Sequence, residues 1–351
     1  MKKLVYFIIV LQVITGCGNK EKQESEAKGE SITGQPSEAP VGMVWIPGGE
    51  FIMGAREQSS TQDAQPQHLV EVKGFWMDET EVTNEQFSAF ADATSYVTLA
   101  ERPVDWEEMK KMLPPGTSKP SEEALQPGSL VFTPPAGPVM LNDYSQWWSW
   151  VNGADWRHPL GPESNLEGKG NHPVVHIAYE DAVAYCEWAG KRLPTEAEYE
   201  FAARGGLTQK EFAWGDELNP QGKYLANYFQ GAFPYKNTKD DGFIGTAPVK
   251  SFPPNPYGLF DITGNVWELC TDWYAVDDFT SRKYQGIARN PKGPDATFDP
   301  NDPYTQKHVS KGGSFLCSNE YCSNYKPSGR QGAAYDTGMN HSGFRCVRDA
   351  E

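Results

Sequence analysis

The sequence predicts a loop-rich α+β domain with modest helix content, and three features carry that expectation. Glycine (34) and proline (27) are plentiful among the 351 residues, so turns are frequent. Aromatic residues reach 13%, enough large rings to pin irregular backbone. Apolar patterning of strand or helix period comes in short pieces, and no repeat of solenoid length appears. The formal charge of −16 gives no global attraction for nucleic-acid phosphates, and no nucleic-acid partner is expected. Surplus carboxylates can serve Ca²⁺ or simply solvate the surface.

Residues 1–17 read as an export signal. Lys2 and Lys3 form a basic start, and Leu4 to Thr15 is mostly apolar but too short to span a bilayer in the ordinary way. The segment ends Ile14-Thr15-Gly16-Cys17, which resembles a bacterial lipobox, with Cys17 lipidated at the start of the mature chain. Residues 18–42 are rich in Lys, Glu, Ser, Gly and Pro. They bury too little to fold and are expected to be a flexible tether. The expectation is a monomeric folded domain, residues 43–351, attached to the membrane through lipid alone. It would face the periplasm, where disulfides are permitted, and Gly18-Asn19 after the Cys does not resemble a signal that would keep it from the outer membrane.

Met43 to Gly54 reads as two short strands around Pro47-Gly48-Gly49. His68 to Val72 alternates with period two, and Phe75 to Asp78 continues it. Thr83 with Gln86 forms a capping box that opens a helix carrying Phe87, Phe90 and Ala91 on one face. Residues 93–172 show no clear period, with Trp147, Trp148, Trp150 and Trp156 available to pack them down. Val174 to Ile177 reads as a buried strand. Glu180 to Trp188 reads as a helix ended by Gly190. Thr195 with Glu198 repeats the capping box, with Gly205 as the C-terminal cap. Beyond that helix regular structure is expected nearly to vanish, and residues 275–310 read as inserted loops.

Two later stretches suit a hard cation, although ordinary Asx turns account for them equally well. One is Asn227 to Gly231 followed by Asp240 to Phe243, and the other is Gly258 to Leu269. No nucleotide-binding, serine-hydrolase or zinc-protease motif is present. With Cys17 set aside, Cys186, Cys270, Cys317, Cys322 and Cys346 remain, an odd number. A Cys186–Cys346 bridge would close a long loop and stabilise by on the order of 4–5 kcal/mol, leaving Cys270 as a buried thiol. Cys317 and Cys322 sit five apart in Gly312 to Tyr325, so a turn must bring the sulfurs together. The pair reads as a disulfide, a metal clamp or a redox centre. Zinc would want a second pair of ligands, whereas two thiolates alone suit Cu(I).

Several motifs resemble those of the formylglycine-generating enzymes, or sulfatase-modifying factors. They are Met77 to Asn84, Asn152 to Pro159, Ala182 to Gly206, Gly264 to Glu268, Gly312 to Cys322 and Gly343 to Cys346. The resemblance spans Met43 to Arg348. It implies an irregular α+β fold related to C-type lectin-like domains. It also implies an oxidoreductase that uses O₂ to convert the cysteine of a sulfatase Cys-x-Pro-x-Arg motif to Cα-formylglycine. Its partners would be unfolded sulfatase chains. Cys317 and Cys322 would hold Cu(I), the client thiolate would join them, and a hydrogen would leave the client β-carbon. Ser314, Trp267, Tyr321 and Arg330 would line the pocket. Two structural Ca²⁺ ions are implied: one at Asn227, Tyr228, Asp241 and Phe243, the other at Asp261, Gly264, Val266 and Glu268. The resemblance also implies the Cys186–Cys346 disulfide. Where some members have a further disulfide, this chain has Ala203 and Pro327. His341, Gly338 and Ser318 stand where the family commonly has Asn, Ser and His.

Overall fold

The computed structural model describes residues 38–56, 62–282 and 286–350, all within one compact unit, residues 34–351. The expected export signal, Cys17 and most of the tether lie outside the described residues. Among the described residues, five short α-helices and many short strands make an α+β fold.

Three sheets build the body. Met43–Ile46, Phe75–Asp78 and Val347–Asp349 form an antiparallel sheet with Phe75–Asp78 in the middle. Gly49–Met53 pairs antiparallel with His68–Val72, which pairs in parallel with Ala288–Arg289. The central sheet runs in the order Arg330–Ala334, Lys307–Lys311, Trp267–Trp273, Ser342–Gly343. A separate hairpin pairs Gly128–Phe132 with Trp148–Asn152 inside the stretch that showed no period.

The first strands form where the sequence places them, but those joined by a short turn do not pair with each other. Met43–Ile46 and Gly49–Met53 flank the Pro-Gly-Gly turn but belong to different sheets, and so do His68–Val72 and Phe75–Asp78. The chain changes sheet at Gly48 and again at Gly74, and the two crossings touch. A side chain on Gly48 would lie 2.5 Å from the Gly74 nitrogen, and one on Gly74 would lie 2.4 Å from the Trp45 ring. Only glycine permits that approach.

The helices follow their capping signals. In Asn84–Thr94, Thr83 Oγ1 accepts from the Gln86 N–H, while Gln86 Oε1 accepts from the Thr83 N–H at 2.9 Å. Glu196–Arg204 has the same box from Thr195 and Glu198 and ends at Gly205 with φ +57°. Such a cap contributes about 1 kcal/mol. Tyr179–Trp188 starts one residue before the expected position, with the Asp181 carboxylate accepting from the Ala178 N–H. Phe87 packs edge-on against Trp156, at 5.1 Å between centroids, and stacks on Tyr185.

Val174 to Ile177 is buried but is not a strand. His176 adopts φ +61°, and its N–H donates to Met339 rather than into a ladder. Its ring, fully buried, lies 2.8 Å from Ser129 Oγ and 2.9 Å from the Pro159 carbonyl. The expectation that regular structure vanishes after residue 206 is also corrected, because the central sheet lies there. Trp267–Trp273 is buried on both faces for most of its length, which removes the alternation that marks a strand in sequence.

Cys186 and Cys346 are both buried with sulfurs 3.2 Å apart, brought together but as free thiols. Cys270 is a fully buried thiol, and burial holds its pKa well up.

Candidate active site

The cysteine pair sits where the chain leaves the central sheet. Lys307–Lys311 ends in Gly312 and Gly313, at φ +90° and +75°. A side chain at Gly312 would meet the Tyr199 hydroxyl at 2.6 Å, and one at Gly313 would meet the backbone of Tyr325 at 2.8 Å. Two successive turns follow. The Cys317 N–H donates to the Ser314 carbonyl at 2.9 Å, and the Cys322 N–H donates to the Ser318 carbonyl at 3.1 Å. Ser318 Oγ also accepts from the Tyr321 N–H. These turns overcome the strand geometry that would send residues five apart to opposite sides, and the two sulfurs lie 2.7 Å apart as free thiols.

The two sulfurs differ in character. Cys317 is 1% exposed, and burial pushes its pKa well up. Either sulfur can donate to the other, and the hydrogen bond with Cys317 lowers the Cys322 pKa against the opposing effect of burial. Of the two, Cys322 is the one whose thiolate is favoured. The pair lines a cavity of about 440 Å³. Trp267, Ser314 and Tyr321 line the same cavity. Ser314 is fully buried, and its Oγ accepts from the Leu316 N–H at 3.2 Å. The Tyr321 ring stacks on Phe233 at 4.8 Å and meets the edge of Trp147 at 5.4 Å.

Arg330 does not belong to this cavity. It pairs across the sheet with Lys311, and both side chains enter the opposite face. Arg330 Nε donates to Glu196 at 2.7 Å, its other nitrogens reach Glu196 and the carbonyls of Asp63 and Ala275, and the guanidinium lies over Tyr274 and Phe279. The residues that follow it, Gln331 to Ala334, line the cavity.

Of the three positions that depart from the family pattern, His341 lines the cavity directly. Its ring packs against Trp148 at 4.8 Å between centroids. Its Nδ1 is buried without a partner, and burial holds the pKa down at about 3, so the imidazole is neutral. The sequence reading missed Met109 and Met112, which form another wall. Asp105 caps the short helix Trp106–Met109 by accepting from the N–H groups of Glu107 and Glu108. An Asp cap before Trp106 and Met109 was the available signal.

The two oxygen-rich loops differ. In the second, Asp261 Oδ2 accepts from the Lys250 N–H at 2.7 Å, while Oδ1 is buried without a partner. Burial raises the Asp261 pKa to about 6. Glu268 accepts from Arg345 at 2.6 and 2.8 Å and from the Tyr199 hydroxyl at 2.9 Å. Glu81 Oε2, also buried and unpartnered, lies 3.9 Å from Arg345. One guanidinium thus faces three buried carboxylates, and an unmet oxygen on Asp261 fits a divalent cation. In the first loop the oxygens of Asp241 already accept from Tyr228 N–H, Gln230 Nε2 and Phe243 N–H. Asn227 Nδ2 donates to the Gly245 carbonyl and to Asn265 Oδ1. That loop shows no unmet Asp241 oxygen. Among the described residues no group of three or more His, Cys, Asp or Glu side chains gathers around a metal position. The expected calcium sets combine one or two carboxylates each (Asp241; Asp261 and Glu268) with carbonyls and Asn227.

Fold and cavity together define a loop-rich α+β protein with a buried pair of cysteines at the edge of its central sheet. A family model described as "Sulfatase-modifying factor enzyme 1-like domain" matches residues 29–350, and the chain belongs to that family. It is 45% identical over 308 residues to "Formylglycine-generating enzyme" of Mycobacterium tuberculosis, covering 88% of this chain and 97% of that one. It is 34% identical to "Inactive C-alpha-formylglycine-generating enzyme 2" of Bos taurus, covering 88% and 89%. A solved structure, PvdO from Pseudomonas aeruginosa, shares the fold at TM-score 0.55 and 24% identity, covering 88% of this chain and 94% of that one.

Proposed function

We propose that this protein is a copper-dependent oxidoreductase that activates sulfatases. It would convert the cysteine of their Cys-x-Pro-x-Arg motif to Cα-formylglycine with O₂. The observation that carries this reading is the pair of sulfurs 2.7 Å apart on the wall of the cavity, in a chain matched to this family almost end to end. Two adjacent sulfurs, one favouring the thiolate, are a donor set suited to soft Cu(I). Bound there, Cu(I) would supply the electron transfer that O₂ needs. The protein's own contributions are positional. Cys322 is the sulfur whose thiolate is favoured, and the pair gives up its thiol protons when a metal replaces them. Trp267 and Ser314, both buried, fix the floor, while Tyr321, 45% exposed, stands at the rim where a client chain enters. An unfolded client suits an open cavity, because its cysteine must arrive with flanking chain attached.

Calcium at Asp261 and Glu268 is the structural part of the proposal. For localisation, lipidation at Cys17 would hold the domain at a membrane facing the periplasm. No helix among the described residues is long and apolar enough to cross a membrane.

The test incubates the Cu(I)-loaded domain in air with a peptide carrying Cys-x-Pro-x-Arg. Mass spectrometry should show the thiol converted to an aldehyde, and Cys317→Ser should abolish the conversion. No conversion by the wild type would favour a non-catalytic role, such as the relative named inactive has; equal conversion by the variant would reject the cysteine mechanism.

A further inference from the structure

We propose that Met109 and Met112 form a thioether docking site for Cu(I), from which the ion passes to Cys317 and Cys322. The inference rests on the copper reading of the cysteine pair. Met109 and Met112 line the same cavity as the two cysteines, although some 205 residues separate them in sequence.

Local geometry puts the two thioethers together. The helix Trp106–Met109 tightens into a 3-10 turn, Lys110–Met112. Residues three apart eclipse on such a turn, so Met109 and Met112 share one face. The residues between and before them pair elsewhere: Lys110 with Glu107, and Lys111 with Glu108. Both methionines are half-buried, neither locked in the core nor free in solvent. A third thioether, Met339, and the neutral His341 line the cavity as well. The His341 Nδ1 is buried without a partner. Five sulfurs and one imidazole around one cavity form a set of soft and borderline donors.

The chemistry assigns the order. A thioether is neutral, cannot be oxidised to a disulfide, and selects Cu(I) over hard cations such as Ca²⁺. It can therefore accept the ion in the oxidising surroundings that export implies. It also binds more weakly than a thiolate, so transfer to the cysteine pair runs downhill. The step is ligand exchange: copper–thioether bonds break, copper–thiolate bonds form, the thiol protons of the cysteine pair leave to solvent, and copper stays Cu(I).

An apolar wall for the client would also use methionine, as Leu113 on the same wall shows. Leucine substitution separates the two roles, since it keeps volume and hydrophobicity and removes the sulfur. Stopped-flow absorbance follows transfer of Cu(I) from its bicinchoninate complex to the protein. Met109→Leu/Met112→Leu should load an order of magnitude more slowly than wild type, with the final affinity of the cysteine pair unchanged. In a Cys317→Ser/Cys322→Ser protein carrying ¹³C-methyl methionine, Ag(I), a redox-inert substitute, should shift the Met109 and Met112 methyl signals. Loading of the leucine variant at the wild-type rate, or unshifted methyl signals, would overturn the docking site while leaving the cysteine site intact. A wild type that takes up no Cu(I) at all would reject the copper reading, and this inference with it.

Discussion

Asp272 shows how strongly single buried groups are perturbed in this chain. It is 1% exposed and accepts from the Glu196 N–H at 2.9 Å, while its other oxygen has no partner. Burial, reinforced by Glu196, raises its pKa to about 7. An unfolded aspartate titrates near 3.9, roughly. Between those values the folded protein keeps a proton that the unfolded chain has lost, so this group's contribution to stability falls as pH rises from about 4 to about 7. Asp272→Asn removes the titration. Its melting temperature relative to wild type should therefore rise as pH goes from acid to neutral, and a difference constant across that range would contradict the assignment. Residue by residue, legibility varied for physical reasons. Cys317, Cys322, Ser314, Trp267 and Tyr321 fall in or beside glycine-bearing motifs and meet in one cavity. Arg330 was misplaced because nothing in its sequence tells which face of a strand it occupies.

Among the elements, the three longer helices were legible because capping signals act within four residues, whereas Trp106–Met109 and Asp278–Arg282 were read as loop. The central sheet was not, since its pairings are long-range and Trp267–Trp273 lacks alternation. That sheet is fastened to the helix Glu196–Arg204 by a buried ionic network. Lys311 reaches Glu200 at 3.0 Å, and Arg204 reaches the same carboxylate at 2.7 Å. Burial works against the Glu200 anion, but Lys311 and Arg204 prevail and hold its pKa at about 2. Losing one partner of such a network costs about 3–5 kcal/mol. Lys311 directly precedes the glycine pair that launches Cys317, so the network also fixes the position of the site. The loop Gly258 to Leu269 supports a second test. Saturating Ca²⁺ should raise the melting temperature over the chelated protein; at a hundredfold excess over Kd, binding is worth about 2.7 kcal/mol. Glu268→Ala should lower both temperatures, because Arg345 loses its partner, and should narrow the gap between them. A gap of wild-type size would argue against the second calcium site.

At the scale of the whole molecule, Cys186 and Cys346 connect the helix Tyr179–Trp188 to the end of the fold. Their sulfurs lie 3.2 Å apart in a core shared with Phe87, Tyr185 and Phe344. Oxidation would close a loop of 160 residues and restrict the unfolded chain by on the order of 4–5 kcal/mol. The oxidised protein should therefore melt well above the reduced one, and Cys186→Ser should erase that difference. Melting at the same temperature in both redox states of the wild type would exclude a stabilising bridge. Overall class was legible from composition because glycine, proline and aromatic content reflect turns and ring packing throughout the chain. Topology was not, because sheet changes at Gly48 and Gly74 depend on contacts between distant segments.

Phe75–Asp78 lies between Met43–Ile46 and Val347–Asp349. Its sheet therefore takes one edge strand from the start of the described domain and the other from its end. During synthesis Met43–Ile46 and Phe75–Asp78 can pair early, but the other edge of Phe75–Asp78 must wait for nearly the whole chain before Val347–Asp349 arrives. Early collapse to the finished fold is thereby delayed, since long-range pairing gains nothing until the loop is closed. For a protein that is proposed to cross a membrane as an extended chain, this late closure leaves that sheet incomplete until its last strand has been delivered.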